Sequence, residues 1–133
     1  MRIILLTGLF YSLLFCSHVN AQCEEGEIAL EFVVSTDGWG YEMYWELAPS
    51  GEACGGENVI ASGGNSANVG CDGAGNGGNG GTTYDNNAVY MEGPFCVAEG
   101  TTLDLIHVDS YGDGGSGFNL SMDGALSGIF NGS

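Results

Sequence analysis

Beyond Arg2 the chain contains neither lysine nor arginine, while aspartate and glutamate together number 17. A chain with this balance cannot form ordinary ion pairs within itself. Its carboxylates have to be dispersed over the surface, screened by salt or neutralised by bound cations, and its field repels nucleic acid and anionic membranes. The one basic residue also lies in a segment expected to be lost. Met1-Arg2, the apolar run Ile3 to Cys16 and the small-residue stretch Ser17-His18-Val19-Asn20-Ala21 follow the order of a secretory signal, with cleavage after Ala21. That run is too short to span a bilayer core of about 30 Å. Cys16 follows Phe15 and Cys23 follows Gln22, which argues against a lipoprotein signal. The expectation is a secreted or cell-surface protein with no membrane insertion, in which residues 1–21 are the signal and 22–133 form a single domain.

Removing the signal takes Cys16 with it, so the five cysteines become Cys23, Cys54, Cys71 and Cys96. Four cysteines in a secreted chain suggest two disulfides, for which three connectivities exist. The favoured pairing joins Cys54 to Cys71, stapling a glycine-rich excursion, and Cys23 to Cys96, tying the N-terminus to a strand.

Apolar residues alternate along Ile28, Leu30, Phe32 and Val34, and again along Tyr41, Met43, Trp45 and Leu47. A period of two with one apolar face is the pattern of a half-buried strand. A short third strand is read at Val59-Ile60-Ala61, and further strands over 88–97, 101–110, 117–122 and 126–130, the last two joined by an Asp123-Gly124 turn. No segment has a helical period. The pattern predicts an all-β fold, an antiparallel β-sandwich of jelly-roll-like kind with about seven to eight short strands. Residues 62–87 shift to glycine and asparagine and read as one long surface loop. The loop contains a GxGxxG match at Gly73, Gly75 and Gly78. With no buried strand before it, no helix after it and no lysine for phosphate, it is not a nucleotide site. The TDGWG segment of the first half and DSYGDG of the second occupy similar places between strands, either as a duplicated three-strand unit or as two similar hairpins.

The stretch from Phe95 to Asn131, FCVAEGTTLDLIHVDSYGDGGSGFNLSMDGALSGIFN, resembles repeat modules of secreted and cell-surface proteins, notably of Bacteroidetes and some aquatic microbes. TDGWGYEMYWEL through VIASGG is similar to the first half of those modules. The resemblance implies a β-sandwich accessory module without assigned catalytic residues. The glycine-rich stretch between Cys71 and Asn87 departs from it by being enlarged.

In DSYGDGGSG, Asp109 and Asp113 stand on a glycine-rich turn where carboxylates and freed carbonyls can converge on calcium, which takes six to eight oxygens. Asp37, on the corresponding first-half turn, and Asp104 are further candidate ligands. The plainer reading is a tight turn whose aspartates accept backbone N–H bonds. Trp39, Tyr44 and Tyr111 are candidates for an aromatic sugar platform, Tyr41 and Trp45 being assigned by alternation to the core. His107, alone on a strand, reads as structural, since zinc needs further ligands and the cysteines are paired. Without a nucleophile motif or cationic stabilisers no enzyme is expected. Sequons at Asn119-Leu120-Ser121 and Asn131-Gly132-Ser133 mark candidate glycosylation sites at Asn119 and Asn131. Two functions are carried forward. One is a non-enzymatic structural or adhesive protein that self-assembles as a homo-oligomer or filament, stabilised by Ca2+; the other is a calcium-dependent, lectin-like module for extracellular glycans.

Overall fold

A computed structural model describes residues 23–73 and 84–131 of the chain. The expected signal segment, Gly75 and Gly78 of the GxGxxG match, residues 74–83 of the glycine-asparagine loop and the last two residues of the Asn131 sequon lie outside the described residues.

The described residues contain seven strands and no α-helix: β1 (Glu27–Ser35), β2 (Met43–Pro49), β3 (Ala61–Gly64), β4 (Val89–Ala98), β5 (Leu103–Asp109), β6 (Gly117–Met122) and β7 (Ala125–Asn131), with one 3-10 turn, Gly40–Glu42, leading into β2. They form two wholly antiparallel sheets, ordered β4-β1-β6-β7 and β3-β2-β5. Four of the connections cross from one sheet to the other, so consecutive strands close a sandwich of jelly-roll-like character. No helix among the described residues is long and apolar enough to cross a membrane.

Alternation along β1 is kept: Leu30, Phe32 and Val34 are buried and face β2 of the opposite sheet. The core is aromatic at its centre. Trp45 lies 5.7 Å from Phe32 and 6.4 Å from Phe118 between ring centroids, and its indole N–H donates to the Tyr84 hydroxyl at 3.0 Å. Tyr84 in turn donates to Glu92 at 2.6 Å, so the polar ends of two buried rings are satisfied inside the fold. A cleft of about 530 Å³ opens between the sheets on the side of Leu103 and Leu105, with Leu120 and Phe130 on its opposite wall.

Three features depart from the sequence pattern. The third strand begins where the expected one ends, at Ala61, and runs through Gly63 and Gly64. Its glycines are what permit the pairing: a Cβ on Gly63 would stand 2.5 Å from both the Trp45 indole nitrogen and the Tyr84 hydroxyl, and Gly64 takes φ +84° against the Met43 carbonyl. β2, read as half-exposed, is buried on both faces from Met43 to Ala48. The segment between Cys54 and Cys71 covers its outer face, with the Gly55 N–H donating to Glu46 at 2.8 Å. Tyr44, read as an exposed aromatic, is buried in consequence and donates to Glu46 at 2.5 Å.

Both disulfides have the favoured connectivity, Cys23–Cys96 and Cys54–Cys71. Bonds of this kind persist in oxidising, extracellular-type surroundings. The Asp123-Gly124 turn is present, with φ +48° and +78°, the two left-handed residues that a tight two-residue hairpin requires.

Candidate functional site

The segment from β1 to β2 and the segment from β5 to β6 both cross between the sheets, and they do so at the same end of the sandwich. TDGWG and DSYGDG therefore become neighbours. The Ser110 N–H donates to the Glu42 carbonyl at 2.9 Å, and Gly115, at φ +103°, leaves room for the Asp37 carboxylate where a Cβ would collide with it.

Within this end, carboxylate oxygens of Glu42, Asp109 and Asp113 lie within 4.8 Å of one another. Asp109 organises the loop: its Oδ1 accepts the Tyr111 N–H at 2.9 Å and its Oδ2 accepts the Gly114 N–H at 2.8 Å. Each of those oxygens keeps a second lone pair, so turn formation and cation binding are compatible uses of one carboxylate. Glu42 is buried at the base of the cluster. Burial pushes its pKa up, and the negative charges of Asp109, Asp113 and Asp37 push it further the same way. A divalent cation would reverse that pressure, because it stabilises the ionised form of every carboxylate facing it. The Ser110 hydroxyl, between Asp109 and Tyr111 in the chain, is buried and has no hydrogen-bond partner among the described residues.

The sequence singled out Asp109 and Asp113 but missed Glu42. The period-two pattern assigned it to the outward face of a strand, whereas it sits in the 3-10 turn ahead of β2 with its side chain under the DSYGDG loop. Asp37 is at the same end without joining the group of three; its Oδ1 accepts the Trp39 N–H at 2.8 Å. Asp104 is elsewhere. At the other end of β5 it accepts Ser50 Oγ at 3.1 Å and the Gly51 N–H at 2.9 Å, capping the turn after β2. Two further groups of cysteine and glutamate, Cys23-Glu27-Cys96 and Glu46-Cys54-Cys71, hold their sulfurs in disulfides and offer no thiolate.

Of the aromatic candidates, Trp39 is 55% exposed and Tyr111 73% exposed, both beside the carboxylate group. Tyr44 is withdrawn under the Cys54–Cys71 segment, and Tyr41, assigned to the core by alternation, is only half-buried and meets Trp39 edge-on at 6.0 Å. The exposed aromatics beside the carboxylates are therefore Trp39 and Tyr111, with Tyr41 half-buried next to Trp39.

No family model, curated protein or solved structure matches this chain.

His107 faces the core, its ring 5.5 Å from that of Phe118. Burial lowers its pKa, with Asp109 acting in the opposite sense, and its Nε2 has no partner among the described residues. Its surroundings are those of a packing residue. Asn119 is exposed on β6 and Asn131 is exposed at the end of β7.

Proposed function

We propose that this chain is a non-enzymatic extracellular adhesive module whose working end is the loop pair TDGWG and DSYGDG, and that it binds glycans in a calcium-dependent way. The observation that carries the reading is the convergence of Glu42, Asp109 and Asp113, beside exposed Trp39 and Tyr111, in a described chain with no cationic side chain to neutralise them. Calcium suits the group because it accepts irregular sets of oxygens, whereas magnesium demands tighter octahedral geometry and dehydrates reluctantly. Glu42, Asp109 and Asp113 would supply ligands, with loop carbonyls and water completing the shell. A sugar would lie its apolar face against an aromatic ring and its hydroxyls towards the cation. The resemblance of DSYGDG to loops of secreted accessory modules without assigned catalytic residues supports the extracellular, non-enzymatic part of the reading.

The test compares wild type with Asp113→Asn, in EDTA and in millimolar calcium. Binding to the folded state alone stabilises it by about 2.7 kcal/mol at a hundredfold excess over Kd. That raises the melting temperature of a domain this size by about 10 °C. Wild type should show that rise and Asp113→Asn should lose it, while retention on immobilised glycans should require both calcium and Trp39. Identical melting of both proteins in both conditions would remove the metal from the reading, and calcium stabilisation without glycan retention would leave calcium as a purely structural ion.

The alternative reading, a subunit that works by self-assembly, is favoured by a different observation, the largely apolar, charge-poor surface of the four-stranded sheet.

A further inference from the structure

The outward face of the sheet β4-β1-β6-β7 differs from the rest of this acidic molecule, and the strand registers show how. Since Phe32 and Val34 point into the core, Glu31, Val33 and Ser35 point outward. Val33 pairs with Met91 on one side and Asn119 on the other, and Asn119 pairs with Ile129, giving a cross-strand row Met91–Val33–Asn119–Ile129. Ser35 likewise pairs with Val89 and Gly117, and Ser121 pairs with Glu31 and Leu126. Val89, Met91, Leu126 and Ile129 are each more than 60% exposed. Across these three rows Glu31 is the only charged residue. Glu92, next to Met91, is turned inward to the Tyr84 hydroxyl.

We propose that this face is an interface between two copies of the chain, packed sheet against sheet. It rests on observations separate from the calcium-loop reading. The occupant follows from charge. Two copies of a molecule with 17 carboxylates and no basic residue among the described ones repel each other wherever carboxylates meet, and in a two-fold interface each residue faces its own patch again. Here the apolar groups are interleaved with Ser35, Asn119 and Ser121, whose hydroxyls and amide both donate and accept, so the face is complementary to itself. A basic partner would be drawn instead to the carboxylate-bearing surfaces. A membrane-seated face would carry lysine, arginine or tryptophan at its rim, and these rows have none. Four strands spaced about 4.8 Å apart make a narrow patch. Such a patch covers less than the about 800 Å² per partner of a standard interface, so the association should depend on concentration and not be permanent.

The test uses the mature protein made without N-glycans, at low and at millimolar protein concentration and in moderate salt. Sedimentation velocity should show a monomer passing to a dimer. In methyl-labelled protein the Met91 signal should shift with concentration while the core methionine Met43 does not. Met91→Asp and Ile129→Asp each place two like charges across the two-fold axis and should weaken the dimer by at least about tenfold. Met91→Gln should weaken it less, and Tyr111→Ser, at the loop end, should leave it unchanged. Wild type that stays monomeric at every concentration, or a Met91 signal independent of concentration, overturns the proposal. So does a dimer that Met91→Asp and Ile129→Asp leave intact, which would move self-association to another surface. None of these outcomes bears on calcium binding by Asp113, which is read separately in EDTA.

Discussion

At Glu42 a buried carboxyl sits against two others, and its proton is held more tightly in the folded chain than in the unfolded one. A raised pKa of this kind contributes stability that is fully present below the unfolded value, 4.5, and lost as pH rises through the folded value. Metal-free protein should therefore be more stable, from this residue, at a pH below 4.5 than at a pH well above it, and Glu42→Gln should flatten that difference. Urea denaturation in EDTA at the two pH values measures it. His107 works in the opposite direction, since its lowered pKa withdraws stability as pH falls below its usual 6.5. It does so equally in wild type and Glu42→Gln, so the difference between them isolates Glu42. Gly63 makes a prediction independent of charge. A methyl group there meets the Trp45 indole and the Tyr84 hydroxyl, both fixed in the core, and Gly63→Ala should cost about 1–3 kcal/mol as overpacking.

Among the elements, the segment between Cys54 and Cys71 has the largest effect for its size, since it turns β2 from a half-exposed strand into a buried one. Opening that disulfide frees a loop of sequence separation 17 and should cost about 3 kcal/mol by chain entropy. Cys23–Cys96 closes a separation of 73 and should cost about 4 kcal/mol. The two losses differ in what they expose. Cys54→Ala/Cys71→Ala should uncover Tyr44, read as a blue shift of tyrosine ultraviolet absorption and a greater response to solvent perturbants, whereas Cys23→Ala/Cys96→Ala should leave Tyr44 buried. Equal tyrosine accessibility in the two variants would mean that the loop holds its place over β2 without the bond.

For the molecule as a whole, self-repulsion is the term that no internal cation offsets. Raising sodium chloride shortens the screening length from about 30 Å at 0.01 M to about 3 Å at 1 M. The unfolding midpoint should climb steadily over that range. Calcium at matched ionic strength should add a saturable increment that sodium does not give, and Asp113→Asn should keep the first effect while losing the second. Exposed Trp39 and Tyr111 share one end of the sandwich with the three clustered carboxylates, while the apolar face, with Glu31 the only charge in its three rows, is presented by a sheet surface. The proposed loop site and the proposed sheet interface do not overlap, so a dimer would present two copies of the loop site, an arrangement that strengthens weak binding through effective concentration.

Alternation along β1, the Asp123-Gly124 turn and the even set of cysteines beyond the expected signal segment were legible because each is a local rule: side-chain period, left-handed turn residues and redox chemistry act within a few positions of the chain. The sequence by itself therefore determined an all-β, disulfide-stapled sandwich and the acidic character of its surface. The tertiary structure decided what those rules leave open. Whether the outer face of β2 meets water depends on a segment that returns to cover it, so Tyr44 went inside, while Tyr41 came partly out because it stands in the 3-10 turn ahead of β2 and outside the strand's alternation. Glu42 joined Asp109 and Asp113 only because two crossovers, far apart in the chain, run over the same end of the sandwich. Strand period cannot report that proximity, since it describes the two faces of one strand and carries no information about which loops the packing of two sheets brings together.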